Sequence, residues 1–151
     1  MQRLKFKMIF PAVSALMALT LTSAAHAGGL FDLSAGIHRI QAELANTNAS
    51  RALGLMNRKS LPGNRGMLFV FPDASAHCMW MRNTLIPLSV AFLDEQGQII
   101  NVEEMLPQTE DQHCAKRPAK FALEMSAGWF KSHGFDAGTP IKGVDKVPAG
   151  I

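Results

Sequence analysis

Apolar and polar residues alternate with a period of two along several short stretches of this chain, which predicts a β-rich domain. Between Ile37 and Ala45, His38, Ile40, Ala42 and Leu44 share one face, while Arg39, Gln41 and Glu43 share the other. That is the pattern of a half-buried strand. Ala119 to Met125 repeats it, with Phe121, Leu123 and Met125 inward and Lys120 and Glu124 outward. Met67 to Phe71 is apolar at every position, as in a central strand covered on both faces, and Pro72-Asp73 should stop it. Leu88–Leu93 and Gln98–Met105 flank Asp94-Glu95-Gln96-Gly97. This spacing predicts a hairpin with Gly97 in the left-handed position. An extended segment at 77–82 and a short strand near 140–144 complete the set.

Helical signals are fewer. Thr47 or Asn48 can cap a helix through about Asn57, with Ala52, Leu55 and Met56 at helical spacing. Gly54 weakens that helix, which points to a close packing contact. Leu61 to Asn64 reads as a turn, and 106–118 as a long polar loop. Ser126 can cap a last helix that carries Trp129 and Phe130 and ends at Gly134, with Lys131 and His133 suited to its negative end. Most links are too short for helical crossovers, so pairing should be mainly antiparallel. The fold class expected is α+β: a small, strongly twisted, partly closed, barrel-like antiparallel β-sheet with two short helices.

The first 27 residues read as a secretory signal. Arg3, Lys5 and Lys7 precede an apolar run from Met8 to about Thr22, and Ala25-His26-Ala27 supplies a small-x-small cleavage site. Gly-rich residues 28–36 are expected to be flexible, and 37–151 to form one domain. The whole chain has 15 basic and 12 acidic residues. Removing Arg3, Lys5 and Lys7 leaves twelve of each, so the basic character belongs to the leader. Nucleic acid and anionic membrane are therefore not the expected partners of the mature chain. The expectation is a monomer in the periplasm or secreted, meeting a small ligand or another periplasmic protein.

The densest chemistry lies in the run from His77 to Leu88. Trp80 offers a flat apolar wall, Arg82 a forked donor for a carboxylate, and Asn83 and Thr84 orienting groups. Glu124 joins them as a ligand-site residue. The alternative is structural, with Asn83-Thr84 making turn bonds, Trp80 in the core and Arg82 paired to Glu124 or Glu103. Arg82 and Asn83 would face opposite ways on a strand, so the chain must turn here for both to serve one pocket. His77-Cys78 and His113-Cys114 repeat one dipeptide. A disulfide between Cys78 and Cys114 suits an exported domain. A Cys2His2 metal site, or a copper site helped by Met79 and Met81, is the competing reading. The six methionines beyond the leader fit core filling.

Three blocks in order carry a family resemblance. They are Arg51-Ala52-Leu53-Gly54-Leu55-Met56-Asn57-Arg58 with Gly66-Met67-Leu68-Phe69-Val70-Phe71, then Met79-Trp80-Met81-Arg82-Asn83-Thr84-Leu85-Ile86-Pro87-Leu88, then Pro118-Ala119-Lys120-Phe121-Ala122-Leu123-Glu124. Over about residues 38–145 the chain resembles the domain-of-unknown-function family 192, also called uncharacterised protein family 0127. The resemblance implies a small β-rich domain, often exported in bacteria, with no cofactor and no accepted reaction. The chain departs from the family's common pattern with Met79 before the tryptophan and Phe121 where Tyr is frequent.

Patterns of known catalysis do not occur in the sequence: there is no G-x-S-x-G, H-E-x-x-H, phosphate loop or dinucleotide fingerprint. The functional expectation is a non-catalytic ligand- or partner-binding accessory domain. A metal-handling protein or enzyme using the His, Cys and Met residues is the alternative.

Overall fold

Residues 29–151 are described by the computed structural model; the leader and cleavage site expected over 1–27 lie outside them. In chain order, the strands are β1 (Phe31–Ala35), β2 (His38–Ala45), β3 (Arg65–Ser75), β4 (Cys78–Met79), β5 (Leu88–Leu93), β6 (Ile99–Met105), β7 (His113–Cys114), β8 (Ala119–Ser126) and β9 (Ile141–Lys142). The helices are α1 (Asn48–Leu53) and α2 (Trp129–Ser132), with a 3-10 turn at Val144–Lys146.

Seven strands form one curled sheet in the order β6-β5-β8-β3-β2-β1-β9, and β4 and β7 form a separate two-stranded ribbon. The sheet's ends meet: Ile99 N–H donates to Thr139 O at 2.9 Å, and Gly138 N–H to Ile99 O at 2.8 Å. The partly closed barrel of the sequence reading is therefore present. Gly97 closes the β5–β6 hairpin with φ 78°, and a Cβ there would lie 2.7 Å from Ile141 O. Only glycine satisfies both demands without strain.

The sheet buries both faces. Its concave face holds Leu33, Ile40, Leu68, Leu123 and Phe130 in one core. Its outer face holds Met67, Phe69, Leu88, Phe92 and Met81 in a second core, roofed by Leu55 after α1. Four of the six methionines, Met67, Met81, Met105 and Met125, are buried, as core filling requires.

Several local expectations need correction. Phe31–Ala35, inside the segment expected to be flexible, is β1 and pairs antiparallel with β2 from Phe31↔Ala42 to Ala35↔His38. Leu33 and Ala35 alternate into the core, a pattern masked by the neighbouring glycines. β2 and β3 pair in parallel, because the link from Asn46 to Asn64 carries α1 and is long enough for a crossover. β3 runs past Pro72-Asp73, where its register to β8 shifts between Val70 and Ser75; a bulge tolerates the missing proline N–H. The extended segment at 77–82 shortens to Cys78–Met79. Ser126 does not cap α2. Its hydroxyl donates to Leu61 O at 3.3 Å, and Gly128 stands at the N-cap. Glu124, expected outward, is buried at 4 % exposure, because the outer face of β8 lies under the second core.

Candidate functional site

α1 forms one wall of a groove. Thr47 starts the helix with a capping box: its hydroxyl accepts from Ser50 N–H at 3.1 Å, and Ser50 Oγ accepts from Thr47 N–H at 2.9 Å. Gly54 ends it at φ 49°, and a Cβ there would meet Phe69 Cζ at 3.2 Å. The helix therefore sits closely on β3. It also aims Arg51 at three acceptors. Nη1 donates to Val70 O at 2.8 Å, and Nη2 to Asn48 Oδ1 at 2.6 Å and Ile151 O at 2.8 Å. These bonds hold the guanidinium along β3.

The opposite wall is the β4–β7 ribbon and the chain after it. Cys78 pairs with Cys114 in register and the two form a disulfide, so neither sulfur is a free thiolate for the metal reading. Asn101 ties this ribbon to β6: its amide donates to Cys114 O at 3.2 Å and accepts from Lys116 N–H at 3.0 Å. His77 stacks on Phe71 with ring centroids 3.7 Å apart.

Beyond the ribbon the chain turns. Thr84 N–H donates to Met81 O at 3.0 Å, and Asn83 takes φ 59° at the third turn position, which asparagine tolerates better than most residues. Asn83 O accepts from Asn57 N–H at 2.9 Å, and Thr84 O accepts from Gln108 N–H at 3.1 Å. Trp80 remains 44 % exposed. Arg82 lies with its guanidinium carbon 4.3 Å from the indole centroid and donates to Glu110 Oε1 at 2.9 Å. This hydrogen bond and charge raise the Arg82 pKa and lower that of Glu110.

Between these walls are two adjoining cavities. The wider, about 430 Å³, has Phe71, Asp73 and His77 on its rim and reaches Asn48. The narrower, about 30 Å³, ends at Thr84 and Glu124. Arg51, Ala52, Phe69, Met79 and Trp80 border both, which makes them one groove with a tight inner end. The inner volume is that of about one water molecule.

Glu124 is the unusual group. It pairs across the sheet with Met67 on β3 and Val90 on β5, so its nearest lateral neighbours are apolar. Burial pushes its pKa up to about 8, because an ionised carboxylate loses its hydration there. That shift favours the neutral carboxylic acid at neutral pH, which has one donor and spare acceptor capacity. Among the described residues its carboxyl has no hydrogen-bond partner, yet no fully enclosed side-chain oxygen lacks one. Its oxygens therefore reach the cavity surface. The same ladder row continues to Glu43 through Met67 and to Glu103 through Val90. Both lie two strands away, about 10 Å. Glu43 is held by two hydrogen bonds from Arg58, and Glu103 accepts from Asn101.

The profile of the family described as DUF192, Uncharacterized ACR, matches residues 31–143. The chain belongs to the DUF192 family. Two solved structures share its fold. One is a Sinorhizobium meliloti protein described as a "putative transcription regulator", 31% identical, with a TM-score of 0.71 over 76% of this chain and 92% of that one. The other is a protein of unknown function from Novosphingobium aromaticivorans, 30% identical, with a TM-score of 0.72 over 75% of this chain and 84% of that one. Comparison with curated proteins finds no match.

Within this DUF192 domain, three of the five residues singled out from sequence come together: Trp80, Thr84 and Glu124 all border the inner cavity. Arg82 and Asn83 border neither cavity. Arg82 pairs with Glu110 rather than with Glu124 or Glu103, and lies over the Trp80 ring. Sequence reading missed Arg51, Phe69 and Ala52 as groove residues. Two signals could have found them: a glycine breaking a helix beside an apolar strand, and one carboxylate in the otherwise apolar run Phe121 to Met125.

Proposed function

We propose that this DUF192 domain is an exported, non-catalytic binding protein that holds a small ligand in the groove between α1 and the disulfide ribbon. The observation that carries the reading is Glu124. An unpartnered carboxyl at the end of an open cavity lowers stability and packs nothing better than leucine would, so a ligand contact is the economical reason for it. Trp80 and Phe69 supply apolar walls, and a groove of about 430 Å³ is of small-molecule size. Export is supported by the Ala25-His26-Ala27 leader pattern and by the disulfide, which persists in oxidising compartments. Among the described residues no helix is long and apolar enough to cross a membrane. The balance of twelve basic and twelve acidic residues after the leader favours a small molecule over nucleic acid.

The test uses an exposed groove residue. Ala52→Trp on α1 should leave the fold intact and fill the groove. A protein-observed NMR screen of small molecules should give hits that move the Trp80 indole and Thr84 amide signals in wild type and are lost in Ala52→Trp. Hits that ignore both the groove signals and the substitution would refute the reading.

A further inference from the structure

We infer that the inner end of the groove receives a hydroxyl group of a neutral polyhydroxyl ligand, of mono- or disaccharide size, lying against Trp80. This rests on the binding reading above and names the ligand class for the same site.

Three features select the inserted group. The inner cavity, about 30 Å³, admits a group the size of one water. Its buried polar side chains are Thr84, 5 % exposed, and Glu124, 4 % exposed, with the less buried Arg51 on the wall it shares with the outer cavity. A carboxylic acid and an alcohol each donate one hydrogen bond and accept others, so a hydroxyl can both give and take a bond there. Charge works against the other heads. A carboxylate or phosphate would meet an acid side chain, with the guanidinium of Arg51 already committed to Val70 O, Asn48 Oδ1 and Ile151 O. An ammonium head would need Glu124 ionised in a site that removes its hydration, beside the positive charge of Arg51.

The outer chamber fits the remainder of such a ligand. Trp80, Phe69 and Phe71 give flat apolar surface, and Asn48, Asp73 and His77 give hydrogen-bonding groups around it. Arg82 borders neither cavity and lies over the Trp80 ring, 4.3 Å from its centroid.

Binding that needs the acid form has a pH signature. The charged groups around Glu124 are Arg51 from α1, Glu43 from β2 with its partner Arg58, and Glu103 from β6; β3 and β5 present Met67 and Val90. With the acid titrating at about 8, affinity should be flat from pH 6 to 7 and fall about tenfold per unit well above 8.

The experiment titrates the wild-type protein and Glu124→Gln with glucose, galactose and maltose from pH 6 to 9.5, following the Trp80 indole signal, and with glucosamine and glucuronate at pH 6, where both carry their charge. At least one neutral sugar should bind saturably in wild type, with the stated pH fall, and more tightly than either charged counterpart by about tenfold or more. Glu124→Gln keeps a neutral donor and acceptor, so it should bind with no pH fall. A charged counterpart that binds more tightly than every neutral sugar, and is lost in Ala52→Trp, would overturn the hydroxyl class and leave the groove reading standing. A pH fall that survives in Glu124→Gln would overturn the role of Glu124. No response from any neutral sugar would overturn this inference, whereas the binding reading falls only if the wider screen also leaves the groove signals unmoved.

Discussion

The guanidinium of Arg82 lies 4.3 Å from the ring centroid of Trp80 and is hydrogen-bonded at the same time to Glu110. The contact holds an exposed indole at the rim of the groove. Both charged partners are exposed, with side-chain exposures of 48% and 64%, so the pair is screened by water and adds little to folding. Arg82→Ala should melt near wild type while the Trp80 indole signal broadens or shifts. A melting curve that collapses would show instead that Arg82 is structural.

The disulfide between Cys78 and Cys114 fixes the ribbon that walls the groove. It closes a loop of 36 residues, worth about 4 kcal/mol in the chain-entropy treatment. Cys78→Ala with Cys114→Ala should lower denaturant stability by a few kcal/mol and expose Met79 and Trp80 to faster amide exchange. Unchanged exchange at those two residues would mean that other contacts hold the ribbon.

The capping box at Thr47 sets the position of α1. Thr47→Ala removes the hydroxyl that accepts from Ser50 N–H, a loss of about 1 kcal/mol. Chemical denaturation should show that loss, with increased exchange confined to the first turn of α1.

Much of the fold was legible because its strands carry a strong period of two or an unbroken apolar run. Leu88–Leu93 matches its prediction residue for residue, and Gly97 takes the left-handed turn position its neighbours demanded. Phe31–Ala35 was hidden by adjoining glycines. The parallel β2–β3 pair was hidden because local pattern does not report which strand lies beside which. Glu124 was the most instructive error. Alternation along β8 places Glu124 opposite Leu123 and Met125, and a charged residue on that face reads as solvent-facing. Burial comes from what covers the sheet, namely Leu55 and Met81 brought over from elsewhere in the chain. In the site, Trp80, Thr84 and Glu124 were legible as chemistry, whereas Arg51 and Phe69 became site residues only through the contact between α1 and β3.

The buried carboxyl also makes stability depend on pH. The folded value is about 8 against an ordinary 4.5. Between these values the native state keeps a proton that the unfolded chain releases, so folding is favoured most below 4.5 as far as this group is concerned. That contribution declines as pH rises towards 8, by at most about 5 kcal/mol over the window. Glu124→Gln removes the titrating group. Its unfolding free energy should lose this slope between pH 5 and 8, and it should be the more stable protein at pH 8. Equal slopes in the two proteins would assign the pH dependence to other groups.

The most direct test of the account is the titration of Glu124 itself, followed through its side-chain carboxyl carbon by NMR in the ligand-free protein. A buried acid facing an open cavity should stay protonated through pH 7 and titrate at about 8. A midpoint near 4.5 would mean an ionised, hydrated carboxylate, and would contradict the buried acid on which the class of ligand assigned to this groove depends.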